Sequence, residues 1–426
     1  MTIEQLYQLY LQYPSVETDT RKLKKGDIFF ALKGPSFNGN AFAQKALEAG
    51  AAFAVIDDAA FATNEKTILV EDALTTLQML AKYHREKFDI PFIAITGSNG
   101  KTTTKELVSA VLSTSYITYT TEGNLNNHIG VPLTILKIKQ DALMAVIEMG
   151  ANHRQEIAGY CDYTKPTHGI ITNAGKAHLE GFGGEEGVKK GKGELYDYLR
   201  KTNGTAFVMQ DYDYLRQMSE GIQNIFTYGT SNADLIGEAV KTSSFLQVRF
   251  TKGLHEIIQS QLVGDYNLPN VLCAAAIGMY FKVPPASIKS ALENYTPSNS
   301  RSQLLQKNGN TIILDAYNAN PSSMKAAIEN FAQMPASNKI LILGGMAELG
   351  NESIAEHKNI VELIKQHSWK AVVLTGGDFM KIDHPYTRFE NALEAAAWFR
   401  QQRLQQATIL IKGSRSMQME RVLQEP

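Results

Sequence analysis

The chain has 426 residues, enough for two or three domains that each bury their own core. Hydrophobic residues make up 44%, charged residues 20%, and the formal net charge is −1. This excludes a disordered chain and gives no global field favouring nucleic acid or an anionic membrane. The two cysteines, Cys161 and Cys273, stand far apart in no metal-ligand spacing, which points to a reducing compartment. Met1 to Tyr10 lacks the basic start and apolar core of a signal peptide, and no apolar run is long enough to span a bilayer. A cytoplasmic protein without stable membrane insertion is expected.

In chain order, Asp27 to Leu32 and Ala52 to Ile56 read as strands, with a helix from Ala41 to Ala49 between them, ended by Gly50. Leu74 to Glu86 reads as a helix, and Asp89-Ile90-Pro91 as a linker. The apolar run Pro91 to Ile95 then leads into a glycine loop and a helix beginning near Lys101. Leu143 to Glu148, Gly169 to Thr172 and Thr205 to Met209 read as further strands separated by helical patterns. Such alternation predicts a parallel sheet, with ligands beyond the strands' carboxyl ends. Phe226 to Gln261 is β-rich and is expected to form an antiparallel extension, before a helix from Leu268 to Phe281. Past the polar junction Pro297 to Ser300, four apolar runs (Thr311–Leu314, Ile340–Leu343, Ala371–Leu374, Thr408–Ile411) each precede a helical pattern. They predict a second, smaller Rossmann-like domain. Neither Gly344-Gly345 nor Gly376-Gly377 completes a dinucleotide fingerprint, so a nicotinamide cofactor is not expected.

The segment Gly97-Ser98-Asn99-Gly100-Lys101-Thr102-Thr103 carries the clearest chemistry. Glycines let successive backbone N–H groups turn toward an anion, the helix start adds its positive end, and Lys101 adds a mobile charge. The Thr102 hydroxyl stands where a nucleotide-bound Mg²⁺ takes an oxygen. The full pattern has a glycine five residues before Gly100, and here that residue is Ile95, so the loop is a shortened variant.

Other residues allow two readings each. Glu148, at the end of a buried strand, suits a Mg²⁺ ligand or a helix cap. His178 follows a strand end and a glycine, as active-site residues do, but an isolated histidine is more often an ordinary surface or core residue. Lys192 reads as a solvated lysine. Were it buried, its neutral amine could take up CO₂ as a carbamate. Asp315-Ala316-Tyr317-Asn318-Ala319-Asn320-Pro321 is an Asx-rich turn that also suits a ribose or phosphate. Lys412-Gly413-Ser414-Arg415 is a basic turn, or an anion site with Ser414 at a helix start and Arg415 as a fork.

Together these motifs resemble the Mur ligases, ATP-dependent amide ligases that build the peptide of the bacterial cell wall, and the resemblance spans essentially the whole chain. It makes Gly97 to Thr103 the family's ATP loop, Thr121 to Pro132 its asparagine-rich segment, Glu148 and His178 metal residues, and Lys192 the lysine that becomes carbamylated. Asn267, Arg301, Asp315, Tyr317, Asn318 and Asn320 correspond to nucleotide contacts. Within the family, the similarity is greatest to the branch that joins D-alanyl-D-alanine to UDP-N-acetylmuramoyl-tripeptide. It is carried by Thr18 to Lys22 with Gly26 to Gly34, by Asn173 to Gly175 with Ala177 to Gly183, and by Met346-Ala347-Glu348-Leu349-Gly350. The Asp-Asn-Pro-Arg motif of the branch adding diaminopimelate or lysine is absent.

The resemblance implies a three-domain α/β fold. A uridine-nucleotide domain would span 1–88, a phosphate-loop ATPase domain with a parallel sheet 89–297, and a Rossmann-like domain 298–426. It implies ATP, Mg²⁺ and a carbamylated Lys192, with Lys101, Lys192 and His178 catalytic. Metal would be held by Thr102, Glu148, His178 and Lys192. The uridine substrate would be held by Thr20, Arg21, Lys33, Gly34, Asn38, Asn124, Asn126 and Asn127, and a further anion by Lys412, Ser414 and Arg415. A monomer serving cell-wall synthesis, and through it cell shape and division, is expected. Tyr266 replaces the family's usual histidine, and Gly345 stands where an acidic residue is common. Two other readings remain: a folylpolyglutamate synthase-like ligase, and a non-catalytic nucleotide-gated binding protein.

Overall fold

The computed structural model describes residues 1–240, 245–298 and 300–424. Asn299 of the expected junction, and residues 241–244 inside the expected β-rich stretch, lie outside the described residues. The chain forms three α/β units.

The first unit holds a parallel sheet in the order β1 (Val16–Glu17), β2 (Ile28–Phe30), β5 (Phe53–Ile56), β6 (Thr67–Leu69), with a small hairpin, β3 (Lys33–Gly34) and β4 (Phe37–Asn38). Its helices are α1 (Ile3–Gln12), α2 (Ala43–Glu48) and α3 (Ala73–Arg85). Gly50, at φ +103°, stands just after α2, a conformation that glycine adopts without strain. Asp72 caps α3 by accepting from Thr75 N at 2.6 Å. Sequence reading missed α1. Thr2 and Gln5 cap it reciprocally, and Leu6, Tyr7 and Tyr10 bury one stripe against α3.

The second unit is a nine-stranded sheet. Its strands are β7 (Phe92–Thr96), β8 (Thr118–Thr120), β9 (Met144–Glu148), β10 (His168–Ile171), β11 (Thr205–Met209), β12 (Asn224–Gly229), β13 (Leu235–Val240), β14 (Phe245–Lys252) and β15 (Ile257–Val263). Their spatial order is β15-β14-β13-β12-β11-β10-β7-β9-β8. Strands β7, β9 and β11 are buried along their whole length, as a sheet covered on both faces requires. Helices α4 (Lys101–Ser113), α5 (Gly130–Leu136), α6 (Glu156–Thr164), α7 (Leu179–Phe182), α8 (Glu185–Thr202), α9 (Asp213–Ser219), α10 (Leu268–Tyr280) and α11 (Pro285–Asn294) complete it. Helix α10 is apolar almost all round and packs between α4 and the sheet.

The expected antiparallel extension begins later than Phe226. Strand β12 pairs in parallel with both β11 and β13, and only β13–β14 and β14–β15 are antiparallel. The reason is cover: α10 lies over β12, whereas β14 and β15 alternate buried and exposed residues along a half-solvated ribbon.

The third unit has the sheet order β16 (Gln303–Lys307), β17 (Asn310–Asp315), β21 (Thr408–Lys412), β18 (Lys339–Gly344), β19 (Ala371–Thr375), β20 (Thr387–Phe389). All pairs are parallel except the β16–β17 hairpin. Helices α12 (Pro321–Gln333), α13 (Ser353–Lys365) and α14 (Ala392–Gln401) flank it. The helix expected after the last run is absent among the described residues. Two 3₁₀ turns, Arg415–Met417 and Met419–Leu423, stand there instead, separated by Gln418 at φ +49°. A left-handed residue cannot continue a right-handed helix.

Candidate active site

A cleft of about 740 Å³ lies between the second and third units, beyond the carboxyl ends of β7, β9, β10, β17 and β21. The phosphate loop forms its floor. Gly97 (φ +145°) and Gly100 (φ +78°) both need the freedom glycine provides. A Cβ on Gly97 would meet Thr172 Oγ1 at 2.0 Å, and one on Gly100 would meet Asn270 Oδ1 at 2.6 Å. Asn99 is fixed by Asn173, whose Oδ1 accepts from Asn99 N and whose Nδ2 donates to Asn99 O, each at 3.0 Å. Lys101 Nζ folds back to donate to the Gly97 carbonyl at 2.5 Å and the Ser98 carbonyl at 3.2 Å. Burial lowers its pKa to about 8, with Glu148 opposing and Arg301 adding to the shift.

Glu148 is 1% exposed. Its Oε1 accepts from Thr102 Oγ1 at 3.1 Å and from Asn126 Nδ2 at 2.7 Å, while Oε2 is buried without a hydrogen-bond partner. An anionic oxygen left unpaired beside a threonine hydroxyl suits a hard divalent cation. Lys192 is fully buried on α8 and donates to the Ala151 carbonyl at 2.9 Å, with its Nζ 4.9 Å from the Phe182 ring centre. Burial drives its pKa well below the ordinary lysine value, and nearby Lys101 adds to the shift. His178 lies on the cleft wall at φ +53°, with Nδ1 against the Glu348 carboxylate of the third unit. That imidazole, the largest cause, lowers the Glu348 pKa. Glu148 and His178 both line the cleft, and Lys192 lies outside its lining. Among the described residues no group of three His, Cys, Asp or Glu side chains is poised for a metal.

The third unit supplies the opposite wall. Asp315 Oδ2 accepts from Lys412 Nζ at 2.6 Å and its Oδ1 from Ser302 N at 3.1 Å. The Arg301 guanidinium stacks on the Tyr317 ring at 3.6 Å. Asn320 caps α12 by accepting from Ser323 N at 2.9 Å, and its Nδ2 donates across the cleft to Asn99 Oδ1 at 2.7 Å. Tyr266 also bridges the units, its hydroxyl 2.8 Å from Ser302 Oγ. Asn267 is buried, with Nδ2 donating to Val263 O at 2.9 Å and Oδ1 accepting from Asn270 at 2.9 Å.

The residues expected to hold a uridine substrate divide. Asn124, Asn126 and Asn127 line this cleft. Thr20, Arg21, Lys33, Gly34 and Asn38 lie in the first unit, outside its lining. There Lys33 pairs with Asp57 at 2.9 Å and Arg21 with Asp19 at 2.7 Å. In the C-terminal turn, Lys412 lines the cleft but Ser414 and Arg415 do not. Ser414 Oγ donates to Gly345 O at 2.7 Å, and Arg415 pairs with Glu420 at 3.3 Å. Sequence reading did not place Tyr212, Tyr214, Asn270 and Ser322 in the site, though all line the cleft. Tyr212 and Tyr214 stack at 5.6 Å, in the Asp211-Tyr212-Asp213-Tyr214 run just past β11. Their place after a strand end was the available signal. Asn270 sits inside an apolar helix and gave none.

A phosphate loop facing a second α/β unit across a polar cleft defines a nucleotide-dependent α/β enzyme. Three family models match the chain: "Mur ligase family, catalytic domain" over 12–85, "Mur ligase middle domain" over 95–278, and "Mur ligase, glutamate ligase domain" over 300–415. Among similar proteins, the UDP-N-acetylmuramoyl-tripeptide–D-alanyl-D-alanine ligase of Escherichia coli is 36% identical, over 96% of this chain and 92% of that protein. The Bacillus subtilis ligase of the same name is 34% identical with the same coverage. The crystal structure of MurF from Acinetobacter baumannii is similar at TM-score 0.89 and 28% identity, covering 99% of this chain and 97% of that one. MurF ligase from Thermotoga maritima in complex with ADP is similar at TM-score 0.87 and 25% identity, covering 97% of each chain. The chain belongs to the Mur ligase family.

Proposed function

We infer that this protein is an ATP-dependent ligase that joins D-alanyl-D-alanine to UDP-N-acetylmuramoyl-tripeptide in the synthesis of the cell-wall precursor. The relatives' names and near-complete coverage support the substrates. The observation that carries the chemistry is the buried Thr102–Glu148 pair, with its unpaired Oε2, beside a glycine loop ending in Lys101.

The tripeptide carboxylate attacks the γ-phosphorus of ATP, ADP departs, and an acyl phosphate forms. The amine of D-alanyl-D-alanine attacks its carbonyl carbon, loses a proton, and phosphate leaves with the C–O bond pair. We assign Lys101 to the β- and γ-phosphates, with Ser98, Asn99, Gly100 and Thr103 cradling them. We assign Arg301, Asp315, Tyr317, Asn318 and Asn320 to the nucleotide's other face. Thr102 and Glu148 would hold Mg²⁺, which when bound neutralises phosphate charge. Burial lowers the Lys192 pKa and so favours the neutral amine, the form that adds to CO₂, which supports its carbamylation. His178 would complete that set once it leaves Glu348. Thr20, Arg21, Lys33, Gly34 and Asn38 would hold the uridine nucleotide, with Asn124, Asn126 and Asn127 nearer the reacting end.

We place the domain boundaries at 1–88, 89–297 and 298–426, which keeps each sheet within one domain. The protein would act as a cytoplasmic monomer, and no helix among the described residues is long and apolar enough to cross a membrane. The test is phosphate release with ATP, the UDP-tripeptide and the dipeptide, omitting each in turn. Release that needs all three, with mass-spectrometric detection of the pentapeptide product, supports the reading. Release with a folate and glutamate instead would overturn it.

A further inference from the structure

The segment after β10 is held from two sides. On one side it braces the phosphate loop, through the paired Asn173–Asn99 hydrogen bonds and through Ser98 Oγ, which donates to the Gly175 carbonyl at 2.8 Å. On the other side it meets the third unit. Lys176 N donates to Ser322 Oγ at 3.0 Å, and Lys176 Nζ pairs with Glu356 Oε1, on α13, at 2.7 Å. The approach is close at Gly175, where a Cβ would stand 2.9 Å from Ser322 Oγ. Glu356 is 6% exposed, and a carboxylate buried that far is costly without a cation. Lys176 is that cation, and it also reaches Glu185 of the second unit at 3.3 Å. The lysine does not line the cleft.

We propose that Lys176 is a positioning residue: its ion pair with Glu356 docks the C-terminal domain onto the segment that braces the phosphate loop. Opening the cleft would break this ion pair, so the pair favours closure. Closure in turn presses on Asn173 and Gly175, which fix Asn99 and Ser98. This role rests on the ligase reading above. It adds a residue that would govern the rate of that reaction without touching its substrates.

The test compares the full chain with Lys176→Met, Lys176→Arg, Glu356→Gln and the swapped pair Lys176→Glu/Glu356→Lys. Three quantities are read: pentapeptide formation, ATP affinity without the other substrates, and small-angle scattering with and without ATP. The Met and Gln variants are expected to lose about tenfold in kcat, because the link at the buried Glu356 carboxylate is broken. They should keep ATP affinity within about twofold and the parent's circular dichroism spectrum, while scattering a larger radius of gyration. The Arg variant should work nearly as the parent does, and the swapped pair should regain most of the loss. A Met variant with the parent kcat and the parent radius overturns the proposal, as does a swapped pair as slow as the single variants. A parent that makes no pentapeptide would strike the ligase reading instead, and the scattering arm would still decide the docking role.

Discussion

The phosphate loop and the seam facing it are built on opposite terms. The loop is local: five consecutive residues, Gly97 to Lys101, fix its shape through two left-handed glycines and a lysine that returns to its own carbonyls. The seam is assembled at a distance. Asn99 meets Asn320, Tyr266 meets Ser302, His178 meets Glu348 and Lys176 meets Glu356, across up to 221 positions of chain. The loop's own contacts all lie within the second unit. The seam's contacts need both units together, and in the proposed reaction such closure would keep water from the acyl phosphate.

Disabling the loop separates the two most sharply. Lys101→Ala is expected to lower ATP turnover about a thousandfold while leaving the fold intact, judged by circular dichroism and phosphate release. An undiminished rate would remove the loop from the chemistry. Lys192→Ala, behind the loop, should cost at least about a hundredfold, with partial recovery in a short carboxylic acid. In the parent, ¹³C-bicarbonate should give a carbamate resonance that the variant lacks. Full activity in the variant would end the carbamate reading.

A smaller effect comes from the sheet's far end. His168 packs against Phe207, Tyr280 and Phe281, and burial lowers its pKa to about 4 from an ordinary 6.5. Between those values the unfolded chain binds the proton and the folded chain does not. Stability therefore falls as pH drops through that window, by about 2 kcal/mol near pH 5. His168→Phe should flatten this part of the pH profile in urea unfolding, and His84 and His357, whose pKa values burial also lowers, should leave a residual slope. The smallest change is at the seam. Asn320→Ala removes the α12 cap, worth about 1 kcal/mol, and frees Asn99. It should lower the melting temperature by about 3 °C and raise the KM for ATP more than Lys176→Met does. Equal KM values would mean that the two contacts act as one.

Much of the fold was legible because it is written in short range. Phe92 to Thr96, Thr205 to Met209 and the four C-terminal runs are continuous apolar strands between helical periods, and each forms where it was expected. Less legible were α1, whose stripe needed α3 to make sense of it, and β12, whose orientation depends on the cover of α10. The last 3₁₀ turns turn on one left-handed residue, Gln418, a conformation that glutamine does not announce.

The candidate site divides in the same way. The spacing of Gly97, Gly100, Lys101 and Thr102 by itself determined a phosphate loop, because backbone direction and a helix start are local consequences of sequence. That Glu148 keeps an unpaired oxygen beside Thr102, that Lys192 is buried rather than solvated, and that Lys176 meets Glu356 were decided only by the tertiary structure. Burial and the partner of a charge depend on which distant surfaces meet, and those two quantities set whether a lysine is a surface cation, a neutral amine or a strut.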